Sequence, residues 1–151
     1  STCKAIQELQ MFMEYFPGSN RRDLAQEMIF TLQDKLVEKE YLSAKLYYDL
    51  GSYTGNSSYS STGNNYQAAV ITAQNVLREY PYTKMREELS ILILRAKYDM
   101  AKESVAEKKE ERMREAIDEY YAFKNEFPDS KYTKEVEAIF KAANRFVNDE
   151  Y

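Results

Sequence analysis

Residues Glu126 to Tyr132 read EFPDSKY. Proline lacks an amide donor and clashes with the preceding turn, so it cannot continue a helix, and it turns the residue before it away from helical dihedrals. A hydroxyl two residues later can accept a hydrogen bond from an amide at the start of the next helix, which contributes about 1 kcal/mol. The stretch is therefore a helix end, a tight turn and a helix start. The same shape stands at Tyr15 to Asn20 (YFPGSN) and at Glu79 to Lys84 (EYPYTK).

Aligning Pro17, Pro81 and Pro128 brings further residues into register. Twelve positions earlier stand Ala5, Ala69 and Ala116, followed by Ile6, Val70 and Ile117. Five positions earlier stand Phe12, Val76 and Phe123, one earlier Phe16, Tyr80 and Phe127, and two later Ser19, Thr83 and Ser130. Alanine at a helix crossing lets two backbones approach, and the apolar positions one, seven and eleven residues on fall broadly on one side of a 3.6-residue period. A helix of this kind looks like the second half of a tetratricopeptide repeat, a helical hairpin of about 34 residues. The prolines are 64 and 47 residues apart, so the intervals exceed one repeat by 30 and 13 residues.

The first excess has two homes. Leu24, Met28, Leu32 and Leu36 repeat every four residues, and Leu42, Leu46 and Leu50 resume the step after a phase shift. With no Gly or Pro between residues 19 and 50, the spacing predicts one long bridging helix, or two joined by a mild bend near Lys39. Gly51 suits its C-terminal turn. The run GSYTGNSSYSSTGNNY that follows is too polar to order itself, which predicts a flexible loop over 52–65. Its Tyr53, Tyr59 and Tyr66 are candidate partner contacts, because tyrosine offers a large contact area at low entropy cost.

Further helices are expected from about Asn65 to Glu79 and from Thr83 to about Glu103. In the latter LSILILRA is apolar nearly all round, as suits a helix between neighbours. Ser104 and Glu107 fit a capping box opening a fifth helix. That helix takes the second excess by extending the alternating charges of EKKEERMRE into solvent. The sixth helix follows Ser130, with Val136, Ile139, Phe140, Ala143 and Val147 as its buried stripe. The fold class expected is all-α, a tetratricopeptide-like α-solenoid of about six helices forming a single domain over 1–151. Only four residues precede Ala5, whose helix would pack on an earlier one. The chain is therefore expected to be the C-terminal part of a longer solenoid, with Ile6, Leu9, Phe12 and Met13 partly uncovered or covered by a neighbouring molecule.

Composition bears on chemistry. The 151 residues carry a net charge of −4 with interleaved signs, which offers no basic stripe for nucleic acid. Histidine is absent, which removes the commonest general base and zinc ligand. Cys3 is the single cysteine, without a histidine to activate it, and the glycines do not space as a phosphate-binding loop. Glu110, Glu111 and Glu115 alternate with Lys and Arg and read as a solvated face. No catalytic residue, cofactor site or metal site is expected.

Two longer stretches carry a closer likeness. DKLVEKEYLSAKLYYDLGSY (34–53), with Lys39, Glu40, Ala44, Tyr47 and Tyr48 before a glycine turn, precedes YQAAVITAQNVLREYPYTK (66–84). Together they resemble the BamD (ComL, YfiO) family, tetratricopeptide lipoproteins of the outer-membrane β-barrel assembly machinery. AIDEYYAFKNEFPDSKYTKEVEAIF (116–140) resembles the last repeat of Bacteroidetes members. The resemblance spans nearly the whole chain and about the last three of the family's five repeats. The family's lipid-bearing cysteine lies outside this sequence, Cys3 does not match it, and the Ser/Gly/Asn run lengthens one turn beyond the family form.

The resemblance implies a non-catalytic scaffold at the periplasmic face of the outer membrane. Its partners would be the POTRA domains of the BamA-like barrel subunit and other assembly subunits, with unfolded outer-membrane proteins as a further class. It would meet the membrane only through a lipid anchor not contained in this chain. Tyr47 and Tyr48 join the candidate partner contacts. The alternative is another periplasmic tetratricopeptide adaptor of the Tol-associated coordinator type, whose repeats are expected at near-regular spacing.

Overall fold

The structure is a computed structural model describing residues 1–53 and 64–149. Six helices run α1 (Thr2–Tyr15), α2 (Arg22–Leu50), α3 (Asn64–Glu79), α4 (Arg86–Lys102), α5 (Ala106–Glu126) and α6 (Thr133–Asn148). Each packs on the next and α2 also meets α4, so the helices form a row of hairpins, the tetratricopeptide-like all-α solenoid.

The three proline turns share one geometry. The Phe16, Tyr80 and Phe127 amides donate back to the carbonyls four residues earlier at 2.8–2.9 Å, closing each helix. Past the proline, the Ser19, Thr83 and Ser130 amides donate to the carbonyls of those same aromatic residues at 3.0–3.3 Å. Each hydroxyl accepts the amide two residues on, from Arg21, Met85 and Tyr132 at 3.0–3.2 Å. These hydroxyls lie in the turn, so the following helices begin three residues after them, at Arg22, Arg86 and Thr133. The expectation that α4 starts at Thr83 is corrected accordingly.

Helix α2 is continuous, with no break at Lys39. Its last turn is closed by Gly51, whose amide donates to the Tyr47 carbonyl and whose φ of 54° is the left-handed value glycine tolerates. A side chain there would also strike Tyr66, since a Cβ would stand 2.6 Å from its hydroxyl oxygen. The flexible segment expected at 52–65 falls mostly outside the described residues, but Asn64 and Asn65 are already helical. Asn65 Nδ2 donates to the Tyr53 carbonyl at 2.7 Å, which ties together the two ends of that segment.

The four-residue leucine step of α2 does not mark its buried stripe, which is formed by Ala25, Ile29, Val37 and Ala44. Leu24 and Leu42 are eighteen residues apart, which is five full turns, so they share the outward side. Nor do Ser104 and Glu107 form a capping box. The Ser104 hydroxyl donates to the Met100 carbonyl and accepts from Arg112, and Val105 takes the cap position of α5 in extended conformation. The charged start of α5 is exposed, yet it is tethered where Lys109 lies 4.9 Å from the Phe146 ring and Met113 is buried.

The core from α2 to α6 consists of three clusters, two of them on opposite sides of α4 and a third formed by Ala101, Met113, Ala143 and Val147. Val37 and Ala44 of α2, Ala69, Ala73 and Val76 of α3, and Leu89, Leu92 and Ala96 of α4 form one cluster. Ile91 and Leu94 face the other way, against Tyr120 and Phe123 of α5 and Val136 and Ile139 of α6. That two-sided burial is why LSILILRA is apolar around its circumference.

Candidate functional site

The repeat-packing residues fall into two groups. Ala69 and Ala116 are fully buried and Val76 and Phe123 nearly so, whereas Ala5 and Phe12 are half-buried. Leu9 and Met13 are also half-buried, and Ile6 is buried against α2 rather than uncovered. Pro17, Pro81 and Pro128 are exposed at their turns.

The proline-turn hydroxyls have a second role that sequence reasoning missed. Thr83 Oγ1 donates to Asp34 of α2 at 2.8 Å, and Ser130 Oγ donates to Glu87 of α4 at 2.5 Å. Each turn is thus riveted to the helix that immediately precedes its own hairpin. Paired acidic and hydroxyl residues 49 and 43 positions apart were the signal available in the sequence, but nothing local links them.

Other inter-helix contacts pair tyrosines or cations with carboxylates. Tyr132 donates to Glu88 at 2.6 Å, Tyr120 to Glu137 at 2.8 Å, and Arg95 makes a bidentate pair with Glu135 at 2.6 and 2.7 Å. Lys97 meets Glu119 at 2.8 Å. Bidentate guanidinium pairs are the strongest of these, because both N–H bonds are charge-assisted.

The candidate contact tyrosines separate likewise. Tyr48 and Tyr66 are interior: their rings lie 5.8 Å apart, Tyr48 donates to Asp99 at 2.5 Å, and Tyr66 reaches Glu103 at 3.5 Å. Burial first, and the neighbouring carboxylates next, hold both hydroxyls above their ordinary range. Both residues secure α2 and α3 against α4, Tyr66 buried and Tyr48 partly covered. Tyr47 and Tyr53 are exposed, and Tyr59 lies outside the described residues.

What α2 does present outward is Leu42, Leu46 and Leu50, exposed by 59%, 59% and 40%, with Tyr47 beside them. Isolated exposed leucines are ordinary, but three on successive turns of one helix form a ridge on which another protein surface can close. Lys45 and Asp49, paired at 3.4 Å, border it with balanced charge. Among the described residues, no three His, Cys, Asp or Glu side chains converge as a metal site requires. No described helix is long and apolar enough to cross a membrane.

The fold and its riveted turns define a helical-repeat protein. No protein-family model matches the chain, and no curated protein matches it.

Proposed function

We propose that the chain is a non-catalytic scaffold of the outer-membrane β-barrel assembly machinery, working at the periplasmic face of that membrane and docking to the POTRA domains of the barrel-forming subunit. The observation that carries this reading is α2. Its 29 residues join two hairpins into one body, in the stretch whose sequence resembles the BamD family, and it exposes the Leu42, Leu46 and Leu50 ridge. Stacked, mutually riveted helices give a rigid surface, so a partner would dock without first ordering it.

Isothermal titration of the chain with tandem POTRA domains tests the reading. Binding that is lost in Leu42→Glu/Leu46→Glu, with the helical circular dichroism intact, is the expected result. Absence of binding by the unaltered chain would overturn it.

A further inference from the structure

Between α1 and the first half of α2 runs an open groove of about 620 Å³, within the range of about 300–1,000 Å³ that ligand sites occupy. The repeat alignment gives it a counterpart. Gln10, Met13, Gln26 and Ile29 of this groove align with Gln74, Leu77, Ser90 and Ile93, which line a cavity of about 210 Å³ between α3 and α4. There α5 closes over the cavity with Ala122 and Phe123, and Arg86 bonds Glu126 at 2.7 Å. Over the first groove no residue of α3 takes that place.

The rivets explain the difference. Ser130 docks on Glu87, in the first turn of α4, whereas Thr83 docks on Asp34. Asp34 lies eleven residues beyond Asp23, which aligns with Glu87. At 1.5 Å per residue the second hairpin sits about 16 Å further along its support helix than the third. The long bridging helix thus shifts its neighbour off the groove, and the α3–α4 turn becomes its end wall. Phe30 and Gln33 belong both to the groove and to a cavity of about 190 Å³ under that turn.

The lining chemistry names the occupant. Four glutamines, Gln7, Gln10, Gln26 and Gln33, offer neutral donors and acceptors together. Hydrogen bonds nearby run from Thr31 to the Glu27 carbonyl and from Thr83 to Asp34, and among the described residues they leave those amides free. A helix has already satisfied its own backbone, whereas an extended chain carries unpaired N–H and C=O groups that such amides can bond. Met11, Met13 and Phe30 supply apolar surface, the methionines adapting to varied side chains.

Charge is one-sided. Groove and adjoining cavity are lined by Glu14, Asp34 and Glu79 and by no lysine or arginine. The geometry points to a binding groove for an extended polypeptide segment that carries lysine or arginine among apolar residues. It faces away from the Ala5, Leu9, Phe12 side of α1, which lies about half a turn round that helix, and from the leucine ridge. Peptide binding and POTRA docking therefore fail independently.

Fluorescence anisotropy with a labelled lysine–leucine–proline peptide, kept extended by its prolines, tests this on the whole chain. The expected result is binding at least about tenfold tighter than for the same peptide with glutamate at every lysine, weakening in high salt. Phe30→Ala and Glu14→Lys, both at exposed positions, are expected to weaken binding about tenfold with the melting transition unchanged, and Leu46→Ala to leave it as it was. The proposal is overturned if neither peptide binds, if both bind equally, or if a proline-free helical lysine–leucine peptide binds more tightly. Self-association by ultracentrifugation that Phe30→Ala abolishes would assign the groove to a second copy, and equally overturn it.

Discussion

The first copy of the proline motif and the later two share residues but not surroundings. In α3 and α5 the alanine and the residues four and seven positions on are buried: Ala69, Ala73 and Val76, then Ala116, Tyr120 and Phe123. In α1 the same positions, Ala5, Leu9 and Phe12, are half-buried, and Phe16 is 58% exposed where Tyr80 and Phe127 are partly covered. Thr83 and Ser130 rivet their turns to a carboxylate of an earlier helix, whereas Ser19 caps only its own turn among the described residues. A motif residue therefore contributes what the helix packed on it allows, not what its letter promises. On α6, Lys141 and Ala142, which align with Leu94 and Arg95 of α4, face solvent, whereas Leu94 is fully buried.

The sharpest way to break this comparison is to truncate the aromatic position. Phe123→Ala is expected to cost about 3–5 kcal/mol in urea unfolding, against about 1 kcal/mol or less for Phe12→Ala. Equal losses would mean that α1 is covered as fully as α5. Next in size is overpacking at the alanine crossing. Ala69→Leu and Ala116→Leu should each destabilise by about 1–3 kcal/mol, while Ala5→Leu, with space beside it, should change little.

Removing the rivet comes third. Thr83→Ala and Ser130→Ala lose both the amide cap and a hydrogen bond to a carboxylate, so about 1–2 kcal/mol is expected, compared with about 0.5 kcal/mol for Ser19→Ala. Thermal melts of the three single variants would rank them. A result in which Ser19→Ala costs as much would point to a partner for that hydroxyl.

The smallest effect concerns pH. Burial, then the bond to Glu137, pushes the Tyr120 hydroxyl up to about 12, and Tyr48 shifts in the same direction through burial and Asp99. The folded state holds these protons more tightly than the unfolded chain, where the pKa is about 10. Their stabilisation is complete below about pH 10 and is lost as pH rises from there toward 12. Denaturation midpoints between pH 8 and pH 11.5 should fall less steeply in Tyr120→Phe than in the parent chain.

Much of the fold was legible because its signals are local. Proline stops, Gly51 and helical spacing gave six helices close to their observed bounds, and LSILILRA announced a helix buried on two sides. The leucine step of α2 marked a long helix but not its buried face, because spacing alone says that a face is apolar, not that another helix covers it; the small residues Ala25 and Ala44 are among those that admit the neighbours. The inward bonds of Tyr48 and Tyr66 were not legible for a related reason, since a tyrosine beside a polar run turns inward only when partners such as Asp99 and Glu103 stand on another helix.

What the sequence determined by itself is the order of helices and turns, and the unequal intervals of 64 and 47 residues that require one helix to overreach. What only the tertiary structure decided is where that overreach goes. Thr83 finds Asp34 rather than a residue of the first turn, the second hairpin slides about 16 Å along α2, and a glutamine-lined groove stays open. Pairings between residues 49 positions apart depend on three-dimensional register, which no local pattern encodes.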